Sequence, residues 1–232
     1  MLKKILLALI VLIALFFLEF QQTLNKNKSI DRITDLPWQV SINEDGSSTV
    51  FNQTIGKSTL SDFQKHVKRE PTISLFRDQD TSLSLEALFE KIDFGGIISN
   101  VILKLEVPEK ELVMLEKNAL RKKVMPTGAY ELKLSTETET KLANKTIASL
   151  SYIPTSIQLD AEMIKLRFGE PDDIINTDDK ISHFLYPKIG LDIILNLNKR
   201  AKEVFQYVNP ADFDRLQKKL YGVQRSENQT MR

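Results

Sequence analysis

A continuous apolar run close to the N-terminus is the strongest hydrophobic signal in the chain. Two lysines precede it, the run itself occupies residues 5–18, and Glu19 ends it. A basic start followed by ~7–15 apolar residues is typical of a secretory signal, whereas a helix that crosses a bilayer needs ~17–25 residues. The pattern predicts a signal anchor or transmembrane helix over 1–24 that enters the membrane through 5–20.

The segment after this run decides whether the anchor is retained. Signal peptidase needs small side chains one and three positions before its cut, and residues 19–24 (EFQQTL) offer no such pair. We therefore expect an uncleaved, single-pass protein of the bacterial inner membrane whose soluble part is periplasmic. The alternative is a cleaved protein that is exported to the periplasm. Residues 25–35 are polar and aperiodic, which predicts a linker.

Alternating apolar and polar positions predict a strand-rich first unit over 36–153. Trp38, Val40 and Ile42 alternate with polar residues, as in a half-buried strand, and Asp45-Gly46 then provides a hairpin turn. Trp38 is the only tryptophan and is expected to anchor the core. Further strands are predicted over 72–77, 83–89, 97–107, 130–134 and 147–153. A short helix is predicted between its cap at Ser58-Thr59 and Glu70-Pro71, and a second over 109–120, opened by Pro108.

A second unit is predicted over 154–222, with a polar, disordered tail over 223–232. Strand periodicity puts Asp192 and Ile193 on opposite faces of their strand. We expect Ile193 to lie in the core, and we expect alanine in place of Asp192 to change stability very little. The residues predicted to meet are Leu159, Met163 and Leu166 of the helix and Leu191, Ile193 and Leu195 of the strand.

Both units begin with the same order of elements. A capped helix is followed by Glu-Pro, at 70–71 and again at 170–171, and then by three or more antiparallel strands. A short helix and a small meander bury little surface alone, but two copies side by side can form one continuous sheet with helices on one face. The predicted fold class is therefore α+β, with an N-terminal membrane helix followed by two repeat-like helix-plus-antiparallel-meander units.

The second unit also carries motifs of a known family. LDAEMIKLRFGEPDDI (159–174), SHFLYP (182–187) and GLDIILNLNKRAKEVFQYV (190–208) resemble the small outer-membrane lipoproteins of the SmpA/OmlA type. The resemblance implies action by protein contact in the barrel-assembly machinery, and a fold unit that occurs in tandem in the β-lactamase inhibitor protein. The chain lacks the lipid-bearing cysteine of those lipoproteins. Its DLPWQ and DFDRL motifs also resemble an uncharacterised family of gammaproteobacterial envelope proteins.

Charge and cysteine content exclude several classes of function. The chain has 32 basic and 31 acidic residues, a net charge of +1. Proteins that bind nucleic acids carry a clear basic surplus, so we expect no nucleic-acid partner. Cysteine is absent, which excludes disulfides, thiolate nucleophiles and thiolate zinc sites.

No group of residues has the pattern of a catalytic site. His66 is predicted to be solvated on its helix, and His183 to be a satisfied structural histidine in a strand, although histidine is the usual general base. Ser182 points to the opposite face of that strand and cannot pair with His183. The aspartate pairs at 172–173 and 178–179 lack the spacing of a calcium loop. We therefore expect no catalytic residue, no cofactor and no metal.

The sequence favours a non-enzymatic, membrane-anchored protein-interaction module whose partner is another envelope protein. Two alternatives stay open. A periplasmic lipid- or peptide-binding module predicts a dry groove lined by phenylalanine and leucine. An envelope enzyme that uses His183 with the nearby aspartates predicts a deep pocket lined by both. A filled core with one exposed sheet favours the interaction module.

Overall fold

The structure is a computed structural model that describes residues 34–79, 82–178, 180–196 and 201–230. The predicted anchor, including its membrane segment at 5–20, lies outside these residues. None of the helices within them has both the length and the hydropathy that crossing a bilayer requires.

Strands make up most of the regular structure in the described residues. In chain order they are β1 (Ser41–Ile42), β2 (Ser48–Val50), β3 (Gln53–Thr54), β4 (Thr72–Arg77), β5 (Leu83–Phe94), β6 (Ile97–Leu105), β7 (Arg121–Val124), β8 (Tyr130–Lys133), β9 (Ile147–Pro154), β10 (Asp173–Asp178), β11 (Ile181–Tyr186), β12 (Leu191–Asn196) and β13 (Val204–Val208). The helices are α1 (Leu60–Val67), α2 (Glu109–Lys117), α3 (Thr136–Lys141), α4 (Ala161–Phe168) and α5 (Phe213–Thr230).

Ten of these strands form one antiparallel sheet in the order β10-β11-β12-β13-β9-β6-β5-β4-β8-β7, and β1, β2 and β3 form a small second sheet. The predicted fold class is wrong, because the described chain is mostly antiparallel β-sheet and none of its helices is a membrane helix. The physical reason lies in β9, which pairs with β6 on one side and with β13 on the other. A single hydrogen-bonded ladder therefore crosses the predicted boundary at 153–154, and no unpaired edge is left between two units.

One face of the large sheet carries the main core. Alternate strand residues point to the same face, and those on this face are buried beneath α1, α4 and the small sheet. Phe51, beside the small sheet, stacks on Tyr152 of β9 at 5.1 Å between ring centroids. Phe63 of α1 meets Phe89 of β5 edge-on at 4.8 Å. The cap predicted for α1 is confirmed at Thr59, whose side chain accepts from the Asp62 amide.

Two predicted core contacts are wrong. Trp38 is only half-buried and lies in a turn, with the Arg167 guanidinium 4.7 Å above its ring. Met163 and Leu166 of α4 are exposed, and Ile164 is the buried residue of this helix. The helix phase differs because Asp160, which accepts from the Met163 amide, caps a helix that begins only at Ala161.

The opposite face of the sheet carries a smaller core beneath α5. The Asn209 side chain caps the short 3₁₀ turn that leads into this helix. The helix backbone then continues to Thr230, across most of the stretch predicted to be a tail. The apolar side chains of this second core are Ile175, Leu185, Val208, Phe213, Leu216 and Leu220.

Candidate functional site

A single row of cross-strand neighbours runs over the face that α5 partly covers. The register joins Leu88 to Ile102, Ile102 to Ser151, Ser151 to Gln206, Gln206 to Asp192, and Asp192 to Leu185. Directly paired residues point to the same side of a sheet, so all of them share this face. The Leu185 end of the row lies in the core beneath α5, while the Leu88 end lies away from it.

Within the described residues, the part of this face away from α5 is uncovered. Leu88 and Ile102 are half-buried, whereas Ala87 and Leu103, their neighbours on the core face, are fully buried. No element of the described chain therefore buries this part of the face. We call it the open face and define it by residues that are half-buried or exposed: Thr72, Phe76, Glu86, Leu88, Ile102, Lys104, Ser149, Ser151 and Ile153.

The open face mixes apolar and charged side chains. Leu88, Ile102 and Ile153 lie on three neighbouring strands and form its apolar part. Glu86 accepts from Ser84 at 2.9 Å, and Ser74, at the side of the face, donates to Glu131 at 3.0 Å. A continuous apolar patch rimmed by polar groups is the usual composition of a protein-binding surface.

A groove of about 670 Å³ runs along the base of α5 and opens beside the open face. Its floor includes Lys104, Ser149 and Gln206, and α5 contributes Arg215 and Lys219. Phenylalanine does not line it, but several charged side chains do, together with Leu83, Leu85, Leu105, Leu112 and Leu216. The leucines fit the cleft that the lipid-binding alternative predicts, whereas the charged groups and the lack of phenylalanine do not.

His183 lies on the face of the sheet that packs against α5, since it pairs with Ile175 of that core, and it is 7 % exposed. Its Nδ1 is 2.8 Å from Oδ2 of Asp192, so the histidine is satisfied as predicted, but its partner is not one of the neighbouring aspartates. Asp173 instead accepts a hydrogen bond from Tyr221 of α5. Ser182 points away from His183 and donates to Asn176 at 2.7 Å.

Asp192 does not lie on a tolerant surface, contrary to the prediction, and is only 1 % exposed. Burial raises the pKa of its carboxyl group, and the hydrogen bond and charge of His183 lower that pKa in part. Its Oδ1 atom has no hydrogen-bond partner. The pair joins the neighbouring strands β11 and β12 and does not line the groove, which is a structural position rather than one that meets a substrate.

The raised pKa of Asp192 gives a prediction about pH. A carboxyl group with a folded-state pKa above its unfolded value of about 3.9 stabilises the protein most below that value, and this contribution is lost as pH rises through the folded pKa. We compare the His183→Gln variant, which keeps Asp192, with the His183→Gln, Asp192→Asn double variant. The free energy of unfolding of the first, minus that of the second, should fall as pH rises. Urea unfolding of both variants from about pH 4 to about pH 8 measures the difference, and a difference that is flat or rises with pH contradicts it.

Neither His66 nor any cluster of side chains that could bind a metal adds a further site in the described residues. His66 is not solvated as predicted, since its side chain is 21 % exposed and its Nε2 is 3.5 Å from Oδ2 of Asp35. Its ring also stacks on Phe94. In the described part of the chain, no three His, Cys, Asp or Glu side chains are grouped to hold a metal ion.

Comparison with known proteins gives no relative, since no family model, curated protein or solved structure matches the chain. The resemblance to the SmpA/OmlA-type lipoproteins therefore stays a prediction.

Proposed function

We propose that this chain is a non-enzymatic, membrane-anchored envelope protein that binds another envelope protein through the open face. The observation that carries the proposal is the contrast between the two faces of one sheet. The core face is filled, whereas the open face presents Leu88, Ile102 and Ile153 half-buried. Anchoring in the membrane rests on the apolar run at 5–18.

The dimensions of the open face support a protein partner. The four strands β4, β5, β6 and β9 at ~4.8 Å spacing, each contributing about six residues at ~3.4 Å, give a sheet area on the order of 400 Å². A standard interface takes ~800 Å² from each partner, so the open face supplies about half of one side of such an interface.

The apolar side chains of the open face contribute their full burial energy only if a partner covers them. Apolar surface left in water forgoes ~25 cal/mol per Å² that burial contributes. On the other side of the same strands, the apolar side chains are buried beneath α1, α4 and the small sheet. A partner that covers Leu88 and Ile102 recovers the same contribution at the open face.

The two alternatives have less support. The charged lining of the groove, which includes Lys104, Arg215 and Lys219, does not suit a lipid tail. An enzyme that uses His183 would need the imidazole to reach a substrate, and His183 is buried against Asp192. We therefore propose neither activity.

Site-specific photocrosslinking in intact cells tests the proposal. A photoreactive amino acid placed at Leu88 or Ile102 should give a discrete crosslinked product with one partner protein. The matched control position is Leu166, which is 79 % exposed on α4 at the other face. The same products from all three positions, or none from Leu88 and Ile102, would contradict a binding role for the open face.

A further inference from the structure

The large sheet ends on one side in β7, a short strand that is exposed along its whole length. All four of its residues, Arg121 to Val124, are exposed, and β8 is its only neighbour in the sheet. The other edge strand, β10, packs against α5, which makes the two edges different. The outer side of β7 is therefore a free hydrogen-bonding edge in the described part of the chain.

The ladder between β7 and β8 identifies the backbone groups that point outward. In an antiparallel pair, every second residue directs its N–H and C=O groups away from its partner strand. The Met125 amide donates to the Ala129 carbonyl at 2.8 Å. The backbone groups of Lys123 and Arg121, which lie two and four positions before Met125, therefore point towards β8. The outward groups of β7 are those of Lys122 and Val124.

The side chains of this edge form a basic strip with apolar ends. Arg121 and Lys123 pair with Lys133 and Glu131 of β8, which places all four on the side of the open face. Lys123 is 3.7 Å from Glu131 in this group. Large apolar side chains that are mostly exposed lie near both ends of β7 and on α2: Leu120, Val124 and Met114, at 67 %, 66 % and 62 %.

We infer that the outer edge of β7 accepts an extended, acidic segment of the partner protein as an additional strand. Backbone N–H and C=O groups of that segment form hydrogen bonds with those of Lys122 and Val124. Its carboxylates lie opposite Arg121 and Lys123, and its apolar side chains cover Val124 and Leu120. Strand addition to a free sheet edge takes affinity from main-chain hydrogen bonds and specificity from alternate side chains. This inference rests on the proposed function and names the chemistry of the partner.

The backbone of the edge favours a strand over an anionic membrane surface. Basic residues beside exposed apolar ones are also found where proteins touch lipid. Unpaired N–H and C=O groups are costly at the boundary of a hydrocarbon phase, and a lipid headgroup layer does not offer them a regular ladder. An added strand satisfies these groups and the charges of Arg121 and Lys123 together.

Peptide binding to the full-length protein in detergent micelles tests the inference. The probe is a fluorescent peptide of about eight residues that alternates glutamate and valine, the length of an ordinary strand. Its controls are a lysine–valine peptide and a glutamate–valine peptide with methylated backbone nitrogens on one edge. We expect the first peptide to bind, and both controls to bind at least about tenfold more weakly.

Two substitutions of Lys122 separate the contribution of its backbone N–H to peptide binding from that of its side chain. Lys122→Pro removes an outward N–H and leaves the β8 ladder intact, since proline is tolerated where the N–H faces solvent. It should weaken binding about tenfold, whereas Lys122→Ala should keep most of it. Equal effects of the two substitutions would overturn strand addition.

The remaining outcomes separate strand addition from edge protection and from general anion binding. No binding by the glutamate–valine peptide means that the lysines only protect the edge against aggregation, and the inference is then wrong. Equal binding of the methylated peptide, with competition by phosphatidylglycerol vesicles, means a general anionic surface, and the inference is again wrong. Crosslinking at Leu88 and Ile102 reports on the open face independently, so either claim can fail while the other stands.

Discussion

Replacing Asp192 with alanine should lower the free energy of unfolding by about 3–5 kcal/mol. Asp192 is 1 % exposed, and its Oδ2 is 2.8 Å from Nδ1 of His183. The substitution leaves the buried imidazole without its partner and opens a small cavity beside it. Breaking a buried pair on one side costs more than the pair contributes when intact, because the remaining polar group stays desolvated.

Denaturant unfolding of the fragment 34–232 measures this effect. The control is Asp214→Ala, in the exposed first turn of α5, for which we expect a change below about 1 kcal/mol. A His183→Leu, Asp192→Leu double variant should recover most of the loss, since apolar residues of similar volume replace buried pairs well. Similar small effects of Asp192→Ala and Asp214→Ala would mean that α5 does not cover this pair.

Strand periodicity alone predicts that Asp192 is exposed and that replacing it with alanine changes the stability very little. Alternation correctly places Asp192 on the face opposite Ile193, but it carries no information about what covers that face. The covering element is α5, which begins after residue 208 and packs back over β10 and β11. A long-range contact of this kind leaves no signature in the local pattern around Asp192.

Replacing Ile193 with alanine should lower the free energy of unfolding by about 2–5 kcal/mol. Ile193 is 0 % exposed in the main core, paired with Phe184 and Phe205 on the two neighbouring strands. Its truncation removes buried methyl groups and leaves a cavity that rigid neighbours fill only in part. The loss is a large share of the ~5–15 kcal/mol that stabilises a typical domain.

The matched control is Ile174→Ala, which makes the same chemical change at a residue that is 44 % exposed in β10. We expect it to cost less than about 1 kcal/mol, measured by the same denaturant unfolding. Both residues pair with Phe184 and so share one face of the sheet, but Ile174 lies in the edge strand β10, where the core ends. If Ile174→Ala proved as costly as Ile193→Ala, the main core would extend over β10, contrary to the structure.

Much of the strand pattern could be predicted from the sequence because it is local. The alternation in 72–77, 130–134 and 147–153 predicts β4, β8 and β9 with boundaries close to those observed. Asp45-Gly46 occupies the hairpin turn expected of it, with positive φ at Gly46. These features depend on residues that are close in the chain and need no knowledge of the rest of the fold.

Two other features could not be predicted, because they depend on distant parts of the chain. The exposed strand β7 consists of Arg121, Lys122, Lys123 and Val124, a composition that does not alternate and has few strand-forming residues. Its conformation comes from pairing with β8. The open face has no local signature either, because its leucine and isoleucine side chains resemble core residues in sequence. Only the tertiary structure shows that nothing in the described chain covers them.

Crosslinking from Ser151, measured with and without Ile102→Glu, tests most directly whether the open face is the binding surface. Ser151 and Ile102 are cross-strand neighbours on this face, and Ile102 is half-buried, so the charge should change the unfolding free energy by no more than about 1 kcal/mol. We predict a discrete product from a photoreactive residue at Ser151 in cells, and loss of that product with Ile102→Glu while the fold stays intact. The same yield of product with a stably folded Ile102→Glu variant would contradict the assignment of the open face to partner binding.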